Sequence, residues 1–423
     1  MTCLAVALAV CAVELDKAIN EGWLQRLGWI YSGGAEGASL LLATVAGSMI
    51  AIAGTVFSMT LVALSLASSQ LGPRLLRNFM RDTANQVVLG TFVATFVYCL
   101  LVLRTIRRAD EVVFVPHLSV SIGVLLAMVS IGVLIYFIHH VSVSIQADEV
   151  VARVGSELED GIGRLFPGHL GKPGSEVSEA PNEADLPAAF ASEARPVGAL
   201  EDGYLQLIDA EVLMALAAEE DLLLRLERWP GHYLVKGRAM VMVWPGNRVT
   251  ETLVEKMNAA FVLGNQRTAA QDVEFSFHQL VEIAVRALSP GVNDPFTAIA
   301  CVDRLGSGLC RLAGRDMPSA LRFDSHGRLR LVAPGPTFEG IVDTAFNQIR
   351  QNARSNPAVA NRMLDAIAQI AGHVRRAADA ACLQRHAGMI VTGAREAVPE
   401  PGDLLAVETA FMAATKALHE LQV

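Results

Sequence analysis

The hydrophobic pattern of this chain changes character twice. Over residues 1–145 long apolar runs alternate with short charged stretches. No charged residue lies between Glu36 and Arg74. A helix over 38–69 would be about 48 Å long, well beyond the roughly 30 Å of a bilayer core. Two more spans fit 84–103 and 114–140. Residues 1–15 form a shorter apolar stretch without the basic start of a signal peptide. It reads as most of a further span or as an interfacial helix, so three or four helices are predicted across a transmembrane region of 1–147.

Beyond it the period shortens and then lengthens. Residues 148–165 read as an amphipathic connecting helix. Proline, glycine, alanine, serine and glutamate crowd the stretch to residue 200, which reads as a flexible linker. Residues 201–248 alternate in short runs: Tyr204–Ile208, Leu222–Leu226, Tyr233–Val235 and Met240–Trp244 read as strands, with a turn at Pro230-Gly231. Over 249–423 the period is helical. Helices are predicted at Phe275–Leu288, from Pro295 to about Leu312, at Phe338–Ala353 and Pro357–Ala378, and near Cys382–Ile390 and Leu404–Leu421. Arg322–Val332 reads as one hairpin.

Composition reinforces the division. The 423 residues are 52% hydrophobic and 18% charged, where a soluble domain carries about 25% charge. Residues 1–145 hold 8 Lys/Arg against 7 Asp/Glu, and the remainder 26 against 36. An acidic extramembrane part repels phosphate backbones, so no nucleic acid is expected as a partner. The six cysteines show no paired spacing, which fits a reducing compartment and places the soluble domain in the cytoplasm.

Two residue stripes bear on function. Ala43, Gly47, Ala51, Gly54 and Ser58 share one face of the long helix. Small faces let membrane helices approach closely; the same face could line a pore, with Thr44, Ser48 and Thr55 supplying hydroxyls. Arg74, Arg77 and Arg81 also share a face. They fit contact with the headgroups of anionic lipids or an anion-attracting vestibule.

Two resemblances follow. The run PGHYLVKGRAMVMVWP resembles a half-repeat of the barrel-sandwich hybrid fold of lipoyl and biotinyl carriers, without their Met-Lys hairpin. It implies shape only. The runs GSMIAIAGTVFSMTLVALSLASSQLGPRLLRNFMRD, VLGTFVATFVYCLLVLR, VPHLSVSIGVLLAMVSIGVLIYFIHH and QLVEIAVRALSPGVNDPFTAIACVDRL resemble a bacterial family of predicted membrane proteins that carry a domain of unknown function. The SP-x-x-NDPFTA motif marks it, and the likeness covers about residues 20–380. It implies a multi-pass protein of the bacterial plasma membrane and implies no activity.

The candidate ligand site surrounds that motif. Gln279, Glu282 and Arg286 fall on one helical face, and Ser289, Asn293, Asp294 and Thr297 cluster at the turn. One reading is a ligand site at a helix N-terminus, with Arg286 as a clamp. The other is a structural turn in which Asp294 caps the next helix and Pro295 occupies its first position. His278 and Glu282 have metal spacing but no third ligand, so no metal or cofactor is expected. No G-x-S-x-G elbow, Walker loop or G-x-G-x-x-G occurs, and no catalytic residue is assigned.

The fold expected is therefore a membrane α-helical bundle followed by an α+β soluble domain, with a small barrel-sandwich-like β module and a helical part. The function expected is a homo-oligomeric channel or transport-like protein in the lipid bilayer. The alternative is a membrane-anchored sensor or scaffold that binds at 289–297.

Overall fold

A computed structural model describes residues 1–18, 30–71, 83–107, 114–144, 146–166 and 186–420. The chain divides into two units, Met1–Glu149 and Val150–Val423.

The first unit is helical. It comprises α1 (Thr2–Ala18), α2 (Ala35–Leu71), α3 (Thr83–Thr105) and α4 (His117–Ser144). Among the described residues, α2, α3 and α4 are the helices long and apolar enough to cross a membrane. The 17-residue α1 packs beside α3 and α4 through Ala5, Ala9, Ala12 and Val13. Its neighbours in the core include Leu42, Tyr98, Cys99 and Val120. Large apolar side chains such as Leu40, Phe57, Met128 and Ile135 point outward, as a hydrocarbon surround requires.

The long α2 buries one stripe: Ala38, Leu42, Ala46, Met49, Ala53 and Val56. Helices α2 and α4 approach closely where a Cβ on Gly123 would stand 2.9 Å from Leu42 Cδ2. A buried hydroxyl pair, Thr95 and Ser130 at 3.1 Å, ties α3 to α4.

Helix α5 (Ala147–Leu165) lies in the second unit from Val150 on, and its apolar face buries Val151, Val154, Leu158 and Ile162. Leu158 and Ile162 pack onto Gly308, where a Cβ would stand 2.8 Å from Leu158 Cδ2. The strands are β1 (Arg195–Gly198), β2 (Gly203–Ile208), β3 (Leu223–Leu226), β4 (Tyr233–Leu234), β5 (Ala239–Trp244) and β6 (Phe261–Gly264). Helix α6 (Ala210–Glu219) falls between β2 and β3, and α7 (Glu251–Ala259) between β5 and β6. The helical part holds α8 (Val273–Ala287) and α9 (Pro295–Ala313), then the hairpin β7 (Leu321–Phe323) and β8 (Leu329–Val332). It closes with α10 (Phe338–Asn352), α11 (Pro357–Ala371), α12 (Ala377–Ala397) and α13 (Pro401–His419).

Five strands form one sheet in the order β1-β5-β3-β8-β7, and three form another, β4-β2-β6. Leu205 and Ile208 from the small sheet and Leu224, Val241, Val243 and Leu331 from the large one share a single core. The described strands form two open sheets, not a closed barrel.

Four features depart from the local pattern. Strand β6 falls in the 249–423 stretch read as helical with one hairpin, and pairs antiparallel with β2. Strand β1 lies in the stretch read as linker, pinned by antiparallel pairing with β5. The hairpin joins the β-rich module through parallel pairing of β8 with β3, a contact across about a hundred residues that no local period reports. Helix α11 stops at Ala371, not near Ala378. Gly372 follows, and the His373 and Val374 amides turn back on Ile370 and Ala371.

Candidate functional site

The 289–297 motif is the turn between α8 and α9. The Asn293 N–H donates to Ser289 O at 2.9 Å, and the Asp294 N–H to Ala287 O at 2.8 Å. Asn293 takes the left-handed conformation, φ +51°, which asparagine tolerates better than most residues. The Ser289 hydroxyl donates to Arg286 O at 2.6 Å.

Asp294 caps α9. Its Oδ1 accepts from the Phe296 and Thr297 amides at 3.1 and 3.2 Å, and its Oδ2 from the Thr297 hydroxyl at 2.5 Å. The Thr297 hydroxyl, then these amides, hold the carboxyl below its ordinary value against the opposing effect of partial burial. Both carboxylate oxygens are thus engaged by the helix they cap.

Of the predicted site, the turn brings together Ser289, Asn293, Asp294, Thr297 and the backbone of Arg286. Gln279 is not brought to it. It lies about 14 Å of helical rise before Leu288. It is buried, and its side-chain oxygen has no protein partner. Glu282 and Arg286 are half-buried on α8. The exposed apolar residues of the motif are Val292 and Phe296, the latter 80% exposed.

The small residues Ala43, Gly47, Ala51, Gly54 and Ser58 are all exposed on α2, on the side opposite its buried stripe. The Thr44, Ser48 and Thr55 hydroxyls beside them donate to the carbonyls of Leu40, Thr44 and Ala51 in their own helix. Arg74, Arg77 and Arg81 lie outside the described residues.

One polar cluster was not read from the sequence. Asp16, at the end of α1, reaches the N-terminus of α4. Its Oδ1 accepts from the Leu118 amide at 2.8 Å; its Oδ2 accepts from the Ser119 amide at 2.8 Å and hydroxyl at 2.6 Å. The Tyr98 hydroxyl donates to Ser119 O at 2.9 Å. The Tyr31 amide donates to Ser121 Oγ at 2.8 Å, and His117 Nδ1 lies 2.7 Å from Tyr31 O. An acid closing an apolar segment was the visible signal; its partner a hundred residues away was not.

Ionisable pairs in the second unit are ties between elements. Arg330, buried, donates to Asp324 and Asp221 at 2.8 Å each. Arg330, with the Arg328 and His326 amides, holds the Asp324 carboxyl down to about 2. The buried His386 on α12 meets Asp343 of α10 at 2.7 Å. Burial pushes the Cys382 thiol up to about 11 and raises Cys301 further, so neither is a ready thiolate nucleophile. Among the described residues no group of three or more His, Cys, Asp and Glu is placed to hold a metal ion.

Three helices fit to cross a bilayer and a mixed helical and sheet region define a membrane protein with a large extramembrane unit. The chain belongs to the DUF2254 family of predicted membrane proteins, whose pattern matches residues 1–369. It is similar to the uncharacterized proteins Rv1290c of Mycobacterium tuberculosis and Mb1321c of Mycobacterium bovis. Each is 32% identical over 388 residues, covering 90% of this chain and 72% of the relative. No solved structure matches the chain.

Proposed function

We propose that this protein is the subunit of a homo-oligomeric channel or transport-like assembly in the bacterial plasma membrane, with its second unit as a cytoplasmic regulatory part. One observation carries the reading: the subunit's own bundle leaves the small-residue face of α2 uncovered. Among the described residues, nothing beyond their own helix would stand within 4 Å of a Cβ at Gly47 or Gly54. In lipid, small residues gain helix contact by letting backbones approach, and bare glycine toward acyl chains forgoes it. The adjacent hydroxyls are satisfied within their helix, so the face suits a neighbouring helix or a hydrated path. The free cysteines fit the cytoplasmic placement.

Flux of small ions from proteoliposomes of the full chain tests the channel. Gly54→Leu is expected to abolish flux and to reduce the assembly to smaller species on mass photometry. A tight vesicle with wild-type protein contradicts the channel, and an unchanged assembly in Gly54→Leu contradicts the packing face.

The second reading is a sensor or scaffold. It draws on Val292 and Phe296, exposed beside the capping Asp294. It predicts that Phe296→Ser leaves melting temperature and flux unchanged while removing binding of a regulatory partner.

A further inference from the structure

The charged end of the membrane unit holds a cavity of about 550 Å³ between α1 and the C-terminal end of α3. Its size falls in the range of ligand sites, roughly 300–1,000 Å³. Its walls are of two kinds. Val10 and Val13 of α1 and Leu101 of α3 are apolar, whereas Lys17, Arg104 and Arg107 are cationic.

Among the described lining residues the charges do not cancel. Glu14 is the one acid in the lining, and Lys17 holds it at 2.7 Å. Asp16, the next carboxylate along α1, is spent on the amides of Leu118 and Ser119. Among the described residues Arg104 and Arg107 therefore have no carboxylate partner. The Arg107 amide donates to Phe114 O at 3.3 Å, which fixes the backbone beside the cavity.

The position along the bundle is also set. Asp16, on the turn that carries Lys17, closes the N-terminus of α4, so this end marks where the apolar span gives way to polar groups. Arg104 sits about 9 Å beyond the buried Tyr98 along α3. Running back from Lys17, the α1 face carries Val13, Val10 and Val6, and Val10 is 56% exposed. Two guanidiniums with no carboxylate partner among the described residues thus stand over an apolar track at the depth of lipid headgroups.

We propose that this cavity binds an anionic lipid, its phosphate held by Arg104 and Arg107 and its acyl chain laid along the exposed Val10 and Val6. Planar guanidinium groups suit phosphate oxygens. The apolar track separates a lipid from free phosphate, which has nothing to place there. The site needs only that this unit spans a bilayer; it does not rest on the oligomeric channel reading.

The test is native mass spectrometry of the full chain, titrated with dioleoyl phosphatidylglycerol or dioleoyl phosphatidylcholine. Phosphatidylglycerol is expected to bind about tenfold or more tightly, at about 1 kcal/mol per basic residue near the surface. The Arg104→Gln/Arg107→Gln double variant is expected to lose that preference. The Arg104→Lys/Arg107→Lys variant keeps the charge and is expected to retain most of it. Lys416→Gln, at an exposed position of the second unit, is expected to change nothing. Equal binding of the two lipids, a preference that survives the Gln variant, or its loss in both double variants overturns the proposal. Competition by millimolar inorganic phosphate overturns the lipid assignment in favour of free phosphate.

Discussion

Asp16 and Asp294 do the same chemical job in two different ways. Each carboxylate accepts two backbone amides and one hydroxyl at a helix N-terminus. Asp294 caps the helix that begins at the next residue. Asp16 caps one that begins about a hundred residues later. A local cap settles where a helix starts; a cap borrowed from another helix settles which helices are neighbours. Asp16 is buried at the polar end of the helical bundle, and Asp294 is half-exposed on the second unit.

The largest effect should follow loss of the borrowed cap. Asp16→Ala strands three donors, each buried unsatisfied group costing about 1–3 kcal/mol. It is expected to lower the melting temperature of the purified protein strongly and to open Cys99, buried in the core that α1 covers, to thiol labelling. Unchanged labelling would show that Val13 and the alanine contacts hold α1 without Asp16.

The close approach of α2 and α4 ranks next. Gly123→Ala brings a methyl group against Leu42 and is expected to cost about 1–3 kcal/mol by overpacking, read by thermal unfolding in detergent.

Loss of the local cap should cost less. Asp294→Ala is expected to remove about 0.5–2 kcal/mol, and Asp294→Ser to recover much of it. Chemical denaturation that follows the second unit checks this. A fully stable Asp294→Ala protein would show that the turn needs no cap and would favour a ligand role for its residues.

The smallest effects are those of pH. The Asp324 carboxyl is held low in the fold by Arg330, so its unfolded form takes up protons first as pH falls. Its contribution is present above about pH 4 and is lost as pH falls toward about 2. His386 runs the same way near neutrality. Burial keeps its folded value low, opposed by Asp343, so stability declines as pH falls below about 6.5, where the unfolded histidine charges. Denaturation midpoints of Asp324→Asn and His386→Phe proteins should lose the respective slopes.

The same contrast marks what was legible in the sequence. Asp209, Asp294 and Asn356 cap helices that start beside them, and all three signatures are local. The apolar runs of α2, α3 and α4 are equally plain, because a bilayer demands length and apolarity of each helix alone. The joining of β8 to β3 and the reach of Asp16 to Ser119 were not legible, since both are contacts between distant elements. Of the candidate site, the turn at 289–297 could be read, but the separation of Gln279 from it follows from helical rise. The exposure of Phe296 depends on what packs around α9.

The small-residue face of α2 is where local pattern and distant contact must meet. The sequence shows the stripe, and the fold leaves it outward; in the proposed assembly its partner lies in another molecule. Disulfide trapping in native membranes tests this most directly, with Gly54→Cys compared against the outward Ile135→Cys on α4 over the native cysteines. The account predicts a strong intermolecular crosslink at 54 and only background at 135. Equal yields at both positions, or none above background at 54, would contradict it.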